Sequence, residues 1–295
     1  MKNKTVLLVA AVSFIVSFNV RASEQLESSS FSEIQKKIRE VGSIFGNKNV
    51  IAVFDTDDTL LHLNQDLGGE AWFEWQSNDI QCEQKCTPEI KTPAGKDAIG
   101  VDINDLLNKY GRILYQSHAT PNEPSIPTDL KNLQADGIQT VVLTSRGFLN
   151  RDSTHRHYGE NGITFSSVGL KPNHVGMEYM PQLTDEEMAK EKVTSVRAVN
   201  YTRGIINTDG QHKGLMLLAW LRQVRFQPKA IVFVDNSSKQ TNRVFSVFKD
   251  RKVDITTIRY SVRDQDRLNF WMSDKKKAIE DWNVYSQMSN SIFPQ

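Results

Sequence analysis

Residues 51–61 read Ile-Ala-Val-Phe-Asp-Thr-Asp-Asp-Thr-Leu-Leu, an apolar run that ends abruptly in three carboxylates, Asp55, Asp57 and Asp58. Four apolar residues in succession, two of them β-branched, predict a strand covered on both faces, the strand type of parallel α/β sheets. Three acids within four residues cannot easily share a small volume at neutral pH unless protons or a cation relieve their repulsion. A hard divalent ion such as Mg²⁺ suits that role. Open α/β sheets also bind their ligands at strand ends. An acidic helix cap would use the same residue types, so this stretch alone leaves both readings open.

The pattern recurs downstream. Thr140-Val-Val-Leu-Thr144 is an apolar strand that runs into Ser145, Arg146 and Gly147, and Ala230-Ile-Val-Phe-Val-Asp235 is another that ends in an acid and then Asn236. Backbone N–H groups at a strand-to-helix turn suit an anion. Arg146 could clamp a phosphate with its fork or stand solvated on the surface. Lys213 opens the apolar helix 213–221, against the usual preference for acids near the positive N-terminal end, so it needs either a compensating acid or a route to solvent.

Between these points the spacing predicts helices over 31–45, 102–116, 125–135, 151–158, 237–248 and 264–288, with further strands over 163–168, 204–207 and 253–260. Ile103, Leu106, Leu107, Tyr110, Ile113 and Leu114 fall on one side of the second helix, and a capping-box pattern starts at Thr184. Residues 23–30 read as loose and polar. The aromatics Trp72, Phe73 and Trp75 serve either packing or the mouth of a site. His155, His157 and His174 do not match a zinc ligand spacing and read as surface or core residues.

The chain opens with a basic start, an apolar run over 5–18 and the small-residue stretch Val20-Arg-Ala22, the form of a secretory signal peptide over 1–22, which implies an exported, periplasmic or secreted protein. Cys82 and Cys86 are then expected to be bridged. With 36 Lys and Arg against 35 Asp and Glu, the total charge gives no argument for a nucleic-acid or anionic-membrane partner.

In order, the segments around 55, 144, 213 and 235 resemble the four motifs of the haloacid dehalogenase-like (HAD) superfamily, beginning with a hydrophobic strand and Asp-x-Asp-x-Thr. The resemblance implies a doubly wound, mainly parallel three-layer α/β sandwich with a small cap insertion, around 62–98, and a possible second insertion around 160–205. It implies a Mg²⁺-dependent phosphatase acting on a small phosphorylated substrate or a phosphoprotein. Asp55 would be the nucleophile, Asp57 the general acid and base, and Thr144 and Lys213 the residues that hold the phosphoryl oxygens. Ser145 and Arg146 would contact substrate, and Asp55, the Asp57 carbonyl and Asp235 would hold the metal. Asn236 departs from the family pattern, which usually presents a second acid near that point. That departure keeps open a HAD-like scaffold that binds a partner without turnover, and phosphoryl transfer to an acceptor other than water is open as well.

Overall fold

The computed structural model describes residues 23–77, 94–170 and 175–292. In chain order the elements are β1 (Glu24–Ser28), α1 (Phe31–Phe45), β2 (Val50–Phe54), β3 (Leu61–Leu63), α2 (Glu70–Ser77), α3 (Ile103–Gln116), β4 (Ala119–Pro121), α4 (Ile126–Ala135), β5 (Gln139–Thr144) and α5 (Arg151–Glu160). They continue with β6 (Gly176–Tyr179), α6 (Asp185–Lys190), β7 (Val199–Thr202), β8 (Ile205–Asn207), α7 (Lys213–Gln223), β9 (Ala230–Asp235), α8 (Ser238–Phe248), β10 (Asp254–Tyr260), α9 (Asp264–Met272) and α10 (Lys276–Ile292). The leader expected at 1–22, the expected Cys82–Cys86 bridge and His174 lie outside the described residues.

One sheet in the order β1-β10-β9-β2-β5-β8-β7-β6 organises the chain. From β1 to β8 every pairing is parallel; β7 and β6 extend the sheet antiparallel. This is an α/β fold with a mostly parallel central sheet and flanking helices. Side chains alternate across β2, so one strand feeds two cores. Phe54, with Val142 and Val232, packs on Phe31, Ile34 and Ile38 of α1 and on Leu130 and Leu133 of α4. Ile51 and Val53, with Val141 and Phe233, pack on Leu217 and Trp220 of α7 and on Val244 and Phe248 of α8. Burial on both faces is why the strand reads as an unbroken apolar run.

Several expectations are corrected. Residues 24–28 are not loose: they form β1, which lies parallel to β10 at the sheet edge. Residues 163–168 form no strand; Ser166 N–H donates to the Thr140 carbonyl at 2.8 Å and Thr140 N–H donates back to Ser166 Oγ at 3.1 Å, without a continued ladder beside β5. The expected helix over 264–288 is two helices, broken where Lys275 takes φ +58°. Of the residues expected on one side of α3, Leu106, Tyr110, Ile113 and Leu114 are buried, and Ile103 and Leu107 are exposed. Of the segment 160–205, residues 176–179 and 199–202 form β6 and β7, and of 62–98 the described part gives β3, which pairs with β4 in a separate two-stranded sheet, and α2.

Candidate functional site

The sheet order reverses at β2, which has β5 and β8 on one side and β9, β10 and β1 on the other. A crevice outside the carboxyl ends of the strands belongs at such a point. A cleft of about 1020 Å³ opens there, with Asp55, Asp57, Ser145, Arg146, Lys213 and Asp235 on its wall. Those residues lie far apart in the chain and meet because β2, β5 and β9 end side by side.

Lys213 is the first residue of α7 and is about 1% exposed. Its ammonium lies 2.6 Å from Asp55 Oδ1 and 2.7 Å from Asp235 Oδ2. The acid that a lysine at this helix end requires is therefore present twice. Burial pushes the Asp55 carboxyl up to about 7, against the opposing pull of Lys213, with Asp235 and Asp57 adding to the rise. Asp235 is raised as well, again mainly by burial. The other oxygen of Asp235 accepts the Ser237 N–H at 2.9 Å, which fixes the carboxylate at the turn after β9.

Arg146 does not stand in solvent. Its guanidinium is buried and forks onto Asp57, with Nε donating to Oδ2 at 2.9 Å and Nη2 donating to Oδ1 at 2.7 Å. Nη1 lies 3.2 Å from Thr154 Oγ1 and 3.2 Å from His157 Nδ1. Burial and the adjacent Arg146 hold His157 down at about 4, so the ring is neutral near neutrality, accepting from Arg146 at Nδ1 and donating from Nε2 to the Ser117 carbonyl at 3.0 Å. His157 is thus a core residue that orients Arg146. Thr144 is wholly buried, and its hydroxyl accepts the Arg146 N–H at 3.2 Å; Ser145 is the residue of this pair on the cleft wall.

The loop after Asp55 is wound tightly: the Thr59, Leu60 and Leu61 N–H groups all donate to the Thr56 carbonyl, and Asp58 adopts φ +51°, a left-handed conformation that aspartate tolerates better than most residues. Thr59 ties this loop to the end of β9, accepting the Asn236 N–H at 2.9 Å. Asp58 faces Arg267 of α9 at 3.7 Å, and burial raises its carboxyl to about 6. Arg267 also grips Glu74 at 2.8 and 3.0 Å and reaches Glu70 at 3.2 Å.

Sequence reasoning missed Asn207 and Asn150. Asn207 ends β8 in register with Thr144, is about 1% exposed, and neither its side-chain oxygen nor its nitrogen has a hydrogen-bond partner. The Asn150 side-chain oxygen is likewise unmatched, and both residues line the cleft. An unpaired buried amide is costly, which makes the two candidates for substrate contact. Of the aromatics, Trp72 and Trp75 pack in the core, while Phe73 lines the cleft and stacks near Tyr110 with centroids 4.6 Å apart. Ile103, Leu107, Phe148 and Leu149, all exposed, complete an apolar rim.

The residues present fit Mg²⁺. Asp55 and Asp235 are hard oxygen donors gathered around one ammonium, so two buried carboxylates share a single positive charge. Among the described residues no group of three or more His, Cys, Asp or Glu is placed to hold a metal ion by itself. Mg²⁺ is commonly held by one or two carboxylates together with substrate phosphate, so a closed cage is not required.

A family model described as "Protein of unknown function (DUF2608)" matches residues 27–292. The chain belongs to that family. It is also similar to a Chlamydia pneumoniae protein described as "Putative outer membrane protein", 23% identical over 214 residues that cover 71% of this chain and 69% of the relative. No solved structure matches.

Proposed function

We propose that this member of the DUF2608 family is a HAD-like, Mg²⁺-dependent phosphatase that hydrolyses phosphomonoesters through an aspartyl-phosphate on Asp55. The observation that carries the reading is the contact of Lys213 with Asp55 and Asp235 at the ends of two neighbouring parallel strands. A buried acid, a buried ammonium and a second acid in one cleft are what an attack of carboxylate on a phosphate dianion needs to overcome charge repulsion.

In the first step an Asp55 oxygen bonds to phosphorus as the ester P–O bond breaks, and Asp57 passes a proton to the departing oxygen. In the second, water adds to phosphorus, its proton returns to Asp57, and the Asp55–phosphorus bond breaks. Lys213 and the backbone N–H groups near Ser145 neutralise the equatorial oxygens. Both Asp57 oxygens accept from Arg146, so proton transfer by Asp57 requires the fork to shift, and an incoming phosphate is the anion that would draw it. When bound, Mg²⁺ supplies charge screening between nucleophile and phosphate, held by Asp55, Asp235 and the Asp57 carbonyl.

The cleft is far larger than a phosphate, and its apolar rim suits a bulky ester group. Export is part of the reading. It rests on the leader-like start and on the description of the Chlamydia pneumoniae relative. Among the described residues no helix is long and apolar enough to cross a membrane. The test is hydrolysis of an aryl phosphate by the purified protein with and without Mg²⁺. Turnover should require the ion and vanish in Asp55→Asn with the circular dichroism spectrum kept; equal turnover by the variant would refute the proposal.

A further inference from the structure

The amide at Asn236 leaves the end of β9 one negative charge short of the acid pair expected there. The structure places a carboxylate against that amide from another part of the chain. Asn236 Nδ2 donates to Glu70 Oε2 at 2.8 Å, and Glu70, the first residue of α2, lies on the wall of the same cleft as Asp55 and Asp235. Asn236 is itself held in place, with its N–H on Thr59 Oγ1 at 2.9 Å and its Oδ1 receiving the Thr59 hydroxyl at 3.3 Å. The amide is therefore oriented with its nitrogen toward Glu70.

We propose that Glu70 supplies, from α2, the negative charge that Asn236 withholds from the cation site. This rests on the phosphatase reading and on the Mg²⁺ fit described above. The electrostatics agree with it. Glu70 is raised well above the ordinary carboxylate range, first by burial and against the pull of Arg267, with Asp58, Glu74 and, least, Asp55 adding to the rise. Arg267 relieves only part of this, because Nη2 of the same guanidinium donates to both oxygens of Glu74 while Nη1 lies 3.2 Å from Glu70. A divalent ion between Asp55 and Asp235 would relieve the remainder, and a carboxylate that a cation relieves is one that strengthens the cation's binding. The alternative is that Glu70 only braces Arg267 and α9.

Calorimetric titration of Mg²⁺ into the full chain separates these. Partners around a metal's direct ligands typically contribute about 10–100-fold in affinity. Glu70→Gln should weaken Mg²⁺ binding by about tenfold, and adding Asn236→Asp to that variant should restore it to within about threefold. Asn236→Asp alone, which places an acid where the charge is already supplied, should gain less than about threefold; this variant decides between the two roles if Glu70→Gln does not fold. Unchanged affinity in Glu70→Gln, failure of Asn236→Asp to rescue it, or a gain of tenfold or more from Asn236→Asp alone would overturn the proposal while leaving the phosphatase reading intact. No Mg²⁺ binding by the unaltered chain would overturn both.

Discussion

Replacing Asp55 with asparagine removes one negative charge from a buried pair of acids that share a single ammonium, and the effect on stability has a definite sign. The Asp55 carboxyl stands at about 7 in the folded protein, against an ordinary value of 3.8, chiefly because burial penalises the charged form. The folded state therefore keeps a proton that the unfolded chain has already lost. Stability from this group is greatest below the ordinary value and is lost as pH rises from there to about 7, by at most about 1.4 kcal/mol per pH unit. Asp58, raised to about 6, acts in the same direction over a shorter range. Asp55→Asn cannot lose that proton. Relative to the parent it should gain about 2–3 kcal/mol of stability between pH 5 and 8, an order-of-magnitude figure for roughly two units of one proton's linkage. Urea denaturation at pH 5, 6, 7 and 8, with chelator present so that no divalent ion contributes, measures this. Parallel stability curves for parent and variant, or a parent that loses no more stability than the variant between pH 5 and 8, would refute the claim that Asp55 is held against its charge.

Arg146→Met leaves Asp57, partly open to the cleft, without its fork, and breaking this half-buried ion pair should cost about 1–3 kcal/mol, read as a fall in the denaturation midpoint. Asn207→Leu removes an amide with no partner and should leave the protein unchanged or up to about 2 kcal/mol more stable, while KM for a good substrate rises several-fold. Gly214→Ala would set a Cβ 2.4 Å from the Arg243 carbonyl, so α7 must move away from α8; about 1–3 kcal/mol of stability should be lost, and turnover should fall because Lys213 is the adjacent residue.

The parallel sheet was legible because β2, β5 and β9 are buried on both faces and so stand out as apolar runs, and the strand-end acids Asp55 and Asp235 follow directly. Lys213 could be singled out because a cation at a helix N-terminus demands an explanation. β1 could not: Gln25, Leu26 and Glu27 are exposed, and the strand exists through its pairing with β10, more than two hundred residues on. Residues 163–168 carry the apolar, β-branched pattern of a strand but find no sheet edge to join, because β8 takes the position beside β5. The parts of the site that sequence reasoning missed are long-range polar contacts. Arg146 with Asp57, Glu70 with Asn236 and Arg267 with Glu74 are separated by 89, 166 and 193 residues, and no local pattern announces such pairs. Asn207 is invisible for another reason: an asparagine at a strand end reads as a turn residue until its amide is seen to have no partner.

A carboxylate that has accepted a phosphoryl group is an acyl phosphate, which borohydride reduces to an alcohol. If the protein is quenched during turnover of an aryl phosphate, reduced and digested, the peptide spanning residue 55 should carry homoserine in place of Asp55, in an amount that depends on substrate and Mg²⁺. Robust turnover with residue 55 still aspartate, or with homoserine at another position, would contradict the account.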